Sequence, residues 1–144
     1  MNQSPANTVH LLNRLLALHG GSLPMYLVSA PPHRQSGEEK AWDVLRHVIN
    51  DQQLMIDKLA DHIESLDGTP NMGEFPMEFS GFHDLSLDFI VQQVVQRQQK
   101  ELEVIESISD ELEPGTQGRA LAQEALGAAK AHLQSLEEAS SSVT

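Results

Sequence analysis

Apolar residues recur at helical spacing in four stretches of the chain. The first carries Leu12, Leu15, Leu16, Leu23 and Tyr26 behind Ser4-Pro5, a helix cap followed by proline in the first turn, and predicts a helix over residues 5–30. Gly20, Gly21 and Pro24 fall in its middle. The proline removes a backbone hydrogen bond at a cost of about 3 kcal/mol, which predicts a kink or a fresh segment there. The second stretch, with Leu45, Ile49, Ile56, Leu59 and Ile63, predicts a helix over 37–66 that stops at Asp67-Gly68-Thr69-Pro70. Ser36 with Glu39 three residues on supplies a capping-box signature at its start. The third, with Leu87, Ile90, Val94, Ile105 and Ile108, predicts a helix over 84–112 capped by Asp84. The fourth, with Leu121, Ala125, Ala129, Leu133 and Leu136, follows a tight turn at Glu113-Pro114-Gly115-Thr116 and predicts a helix over 117–139, with a frayed tail beyond it.

Residues 67–83, by contrast, hold three glycines, Pro70 and Pro76, and no helical period, so a long connection joins the second and third helices. Four helices joined short, long, short predict an all-α fold in which the middle connection crosses the bundle, with a plain up-down bundle as the alternative. At 144 residues the chain is one domain, able to bury about 70% of its unfolded surface. The absence of cysteine excludes disulfides, thiolate metal sites and cysteine nucleophiles. A net charge of -12 repels phosphate, so neither nucleic acid nor an anionic membrane surface is an expected partner. No apolar run reaches the roughly 20 residues of a membrane span and the N-terminus lacks the pattern of a secretory signal, so the expected location is the cytoplasm. No Gly-rich phosphate loop or nucleophile elbow is present.

Three short motifs carry a family likeness: Leu12-Asn13-Arg14-Leu15-Leu16 with Tyr26, Leu66-Asp67-Gly68-Thr69-Pro70-Asn71, and His132-Leu133-Gln134-Ser135-Leu136-Glu137. Together they resemble the bacterioferritin and rubrerythrin branch of the ferritin-like superfamily, whose fold is a four-helix bundle with a long crossover between its second and third helices. The resemblance implies a core site in which the first and third helices each offer a Glu and the second and fourth each offer Glu-x-x-His, together holding two irons. Carried over by position, the first-helix glutamate falls on His19, the second-helix pair on Gln52 and Met55, the third-helix glutamate on Gln98, and the fourth-helix pair on Ala129 and His132. Only His132 keeps its type. Slipping the second helix by one residue offers Asp51 and Leu54 instead, and none of the seven histidines has Asp or Glu three residues before it. The slot where bacterioferritins place a heme methionine holds Gln53.

The expected product is a ferritin-like bundle without a working diiron centre, a non-catalytic structural or binding protein with no cofactor. The resemblance implies a homodimer through the first and second helices. His19, Gln52, Gln98 and His132 form a polar layer, expected to be a mutually hydrogen-bonded buried set that fixes register. On that reading Gln98→Leu alone destabilises. Two further readings stay open. One is a metalloprotein or oxidoreductase with a single transition-metal ion on His19, His132 and Glu101. The other is a small-ligand binder that uses the vacated core beside Met55 and Ala129. His47 with Asp43 and His62 with Asp61 read as exposed helix-face pairs.

Overall fold

A computed structural model of the chain describes residues 3–33, 35–82 and 85–141. Its regular structure is helical: α1 (Pro5–Gly20), α2 (Leu23–Tyr26), α3 (Glu39–Ser65), a 3-10 helix (Met77–Phe82), α4 (Leu87–Glu111) and α5 (Gln117–Ser141). The one β-type contact among the described residues is an isolated bridge between His33 and Ser86. No helix in the described residues is long and apolar enough to cross a membrane.

Local chemistry sets the boundaries. Ser4 caps α1 by accepting from the Asn7 amide at 3.2 Å, with Pro5 in the first turn. The predicted first helix is two segments. It breaks at Gly21-Ser22, and Pro24 falls in the first turn of α2, where its missing N–H costs nothing. The predicted capping box at Ser36 does not form. Gly37 turns the chain at φ 96°, α3 begins two residues later than expected, and the Glu39 carboxylate accepts from the Gly37 amide instead. At the other end of α3 it is Asp67, with φ 61°, that takes the left-handed turn expected of Gly68. α4 begins at Leu87, capped by Ser86 Oγ on the Phe89 amide at 3.2 Å; the predicted cap Asp84 lies outside the described residues. Thr116 Oγ1 accepts from the Arg119 amide at 3.2 Å and so closes the start of α5, which runs to Ser141 rather than ending at 139.

α5 packs most extensively on α4 and next on α3, while α1 packs on α3 and then on α4. α3 against α4 and α1 against α5 touch less. The core between them is aliphatic, with Leu12, Leu45, Leu59, Ile90, Ile108 and Leu136 almost wholly excluded from water.

The connection after α3 is fastened along α1. Asn13 donates to the Thr69 carbonyl at 3.0 Å and accepts from the Asn71 amide at 2.8 Å. Gly73, at φ 72°, has Ala17 where a side chain would be. A Cβ on Gly20 would strike the Met72 carbonyl, and one on Gly21 would lie 2.6 Å from the Glu74 oxygen. All four phenylalanines belong to this end of the molecule. Phe75 and Phe79 pack on Tyr26 with ring centroids 5.3 and 5.5 Å away, Phe82 bridges Phe79 to Phe89, and Arg97 stacks 4.8 Å above Phe79.

Candidate functional site

Helical periodicity brings residues from four helices to one level. His19 closes the last turn of α1, Gln52 and Met55 lie one turn apart on α3, Gln98 sits in the middle of α4, and Ala129 and His132 lie one turn apart on α5. All six are buried, between 2% and 7% exposed, and all six line a single cavity of about 250 Å³. Glu101, one turn beyond Gln98, lines it too. The space exists because α5 presents Ala125, Ala128 and Ala129 there, side chains too short to meet the opposing helices. On the wall, Lys58 of α3 and Glu124 of α5 form an ion pair at 2.8 Å.

The polar atoms are anchored outward. The His19 ring donates from Nδ1 to the Leu15 carbonyl at 2.9 Å, because a carbonyl can only accept. Burial pushes its pKa below the ordinary histidine value, with the Leu15 bond opposing and the nearby His132 adding to the shift. The neutral ring therefore keeps its lone pair on Nε2. Gln52 Oε1 accepts from the buried Ser22 hydroxyl at 2.8 Å, and His132 Nε2 donates to Asp51 Oδ2 at 2.8 Å. The same Asp51 oxygen lies 3.6 Å from Nε2 of the exposed His47. Gln98 Nε2 is buried with no hydrogen-bond partner among the described residues.

The four polar residues thus do not bond to one another, contrary to the expectation of a mutually satisfied layer. Three carry private partners and the fourth has none. The expected cost of Gln98→Leu changes with it. No protein donor or acceptor is orphaned by the substitution, and a desolvated amide is removed. Denaturant unfolding of Gln98→Leu is expected to show a change between neutral and a gain of about 1 kcal/mol. A loss above about 1 kcal/mol would restore the network reading.

A carboxyl in this setting is unusual. Burial raises the Glu101 pKa to about 7, with the Arg97 charge pulling the other way. Glu101 has no hydrogen bond or ion pair among the described residues. The donor set at the six slots does not fit two ferrous ions. Gln52, Met55, Gln98 and Ala129 bring no negative charge, and the free amide of Gln98 presents a donor hydrogen where a metal needs a lone pair. Among the described residues no three His, Asp or Glu side chains are grouped as a metal site, so the set His19, His132 and Glu101 lines one cavity without forming such a group.

In comparison with known proteins, no family model matches the chain, nor does any curated protein or solved structure. The functional reading therefore rests on the cavity itself.

Two residues that matter here carry no sequence signal for their role. Ser22 reaches Gln52 only because the chain breaks after α1, and Asp51 meets His132 across 81 positions. The helix-face pairs also differ from expectation. His47 faces Asp51 rather than Asp43, which lies 3.7 Å from Arg46, and His62 contacts the Ser65 hydroxyl at 3.2 Å. A spacing of four is shared by Asp43 and Asp51 on either side of His47, so sequence alone does not choose between them.

Proposed function

We propose that the protein is a ferritin-like four-helix bundle that has lost the diiron centre and uses the vacated core to bind a small molecule without catalysis. One observation carries the reading: the six positions that the resemblance assigns to iron ligands surround one cavity, and five of them hold a different residue type. Chance placement of six residues from four helices would not converge on one void. The order of packing supports the crossover arrangement, since α1 and α5 each neighbour both α3 and α4, leaving α3 with α4 and α1 with α5 as the two diagonal pairs. The fastening of residues 69–74 along α1 supports it as well.

Within this reading the cavity supplies what a small-ligand site needs: an apolar wall from Met55, Ile105 and Ala129, with a few polar atoms among them. A homodimer through α1 and α3 belongs to the same proposal, and light scattering that returned a monomer mass would remove it. The test of the lost centre is anaerobic titration with ferrous ion followed by exposure to oxygen. The native protein is expected to take up no stoichiometric iron pair and to leave the rate of ferrous oxidation at its background value. Uptake of about two irons per chain, or rapid oxidation, would refute the proposal.

A further inference from the structure

The proposal that the core cavity holds a small molecule leaves its chemistry open, and the lining narrows it. The charged groups on the wall are largely spoken for: Asp51 by His132, and Lys58 by Glu124. Glu101 is the carboxylate without a hydrogen bond or ion pair among the described residues, with the Arg97 charge acting on it, so Glu101 in its ionised form offers the cavity a negative group. His19 adds an uncommitted lone pair at Nε2, since its Nδ1 hydrogen is given to Leu15. Against these acceptors stands a buried donor without a hydrogen-bond partner among the described residues, Nε2 of Gln98. A matching ligand donates at one end and accepts at another.

We infer that the cavity takes a small organic cation, its ammonium group set on the Glu101 carboxylate and an oxygen acceptor set on Gln98 Nε2, with a short apolar tail against Met55, Ile105 and Ala129. This inference rests on the proposed role of the cavity as a ligand site. A void of about 250 Å³ suits roughly six to ten non-hydrogen atoms, since benzene fills one of about 150 Å³. The net charge of -12 draws cations toward the protein before any contact is made. An organic cation is favoured over a bare metal ion because a molecule carrying both kinds of group meets the Glu101 carboxylate and the Gln98 donor at once, and the ion by itself carries no acceptor. The Glu101 carboxyl is held near pKa 7 by burial, and an ammonium beside it offsets the cost of its ionisation.

Calorimetric titration of the full chain with three probes of one shape tests the inference: leucinol as the amino alcohol, 4-methyl-1-pentanol as the neutral counterpart and 4-methylpentanoate as the anion. Leucinol is expected to bind at least about tenfold more tightly than the alcohol, and the anion most weakly, because only the amine forms a charge-assisted contact in a desolvated site. Glu101→Gln, which keeps the shape of the side chain, is expected to remove the advantage of leucinol while leaving the alcohol unchanged. Ala129→Phe, which fills the void, is expected to abolish all binding. If the alcohol or the anion binds as well as the amine and Ala129→Phe still abolishes it, the cation inference fails and the ligand cavity stands. If the amine keeps its advantage in Glu101→Gln, the inference also fails. If none of the three binds a native protein shown by circular dichroism to be folded, both the inference and the cavity reading fail.

Discussion

Gly20→Ala is expected to destabilise the protein by about 3 kcal/mol, against the ordinary gain of about 1 kcal/mol when alanine replaces glycine in a helix. The reason is the Met72 carbonyl. A Cβ at position 20 would meet that oxygen inside any distance carbon tolerates, and the neighbour is backbone rather than a side chain that can swing aside. The carbonyl in turn is held from both sides. Asn13 grips Thr69 and Asn71 before it, and Gly73, at φ 72° and against Ala17, follows it. Relief requires the whole strap to lift from α1. Chemical denaturation of Gly20→Ala beside Gly127→Ala makes the comparison internal, because Gly127 lies within α5 and a Cβ there meets nothing within 4 Å. Gly127→Ala is expected to be neutral or stabilising by up to about 1 kcal/mol. Equal effects of the two substitutions would mean that the connection does not lie on α1 as described.

The second large effect is a gain. The variant carrying His19→Glu, Gln52→Glu, Met55→His, Gln98→Glu and Ala129→Glu, with His132 kept, is expected to bind about two ferrous ions per chain and the native protein none. The substitutions place four carboxylates and two histidines around one void, supplying the anionic oxygen ligands that offset desolvation of two divalent ions. The native surroundings help. Asp51 already fixes the His132 ring through Nε2, which leaves Nδ1 as the ligand atom in the way that carboxylate–histidine pairs orient metal-binding imidazoles. Ser22 is placed to donate to a glutamate at position 52 as it donates to the glutamine now. The variant is expected to lose stability without metal, because four carboxylates repel one another in a buried space, and to recover it on adding iron. Thermal unfolding with and without ferrous ion reads both effects. A folded variant that took up no iron would show that these six positions are not the remnant of a metal site.

How much of this was legible in the sequence varies with the range of the forces involved. Helix positions follow from apolar periodicity, and the stripes of Leu12, Leu45, Ile90 and Ile108 are buried as spacing dictates. The break in the first helix follows from Pro24 and the glycines before it. The placing of His19, Gln52 and His132 at one level was implied by positions carried over through the resemblance, and Gln98 by the polar gap it leaves in the apolar stripe of its helix; all four line the one cavity. Their partners were not readable. Ser22 and Asp51 are ordinary polar residues until the tertiary fold brings Gln52 and His132 to them. Nor do Gly20 and Gly21 declare what approaches them: the sequence shows glycine at a helix end, while the fold places the backbone of Met72 and Glu74 there. The capping box failed for a local reason, since Gly37 redirects the chain between Ser36 and the helix.

The central claim, that this core is a ligand site and not merely a packing fault, is tested most directly by methyl NMR of the native protein with a library of small polar and apolar fragments. The account predicts a subset of fragments that shift the methyl signals of Met55, Ile105, Ala125 and Ala129 together, leaving methyls at the far end of the core such as Leu12 and Ile63 unmoved. Fragments that bind only elsewhere, or a library that leaves those four methyls in place throughout, would contradict it.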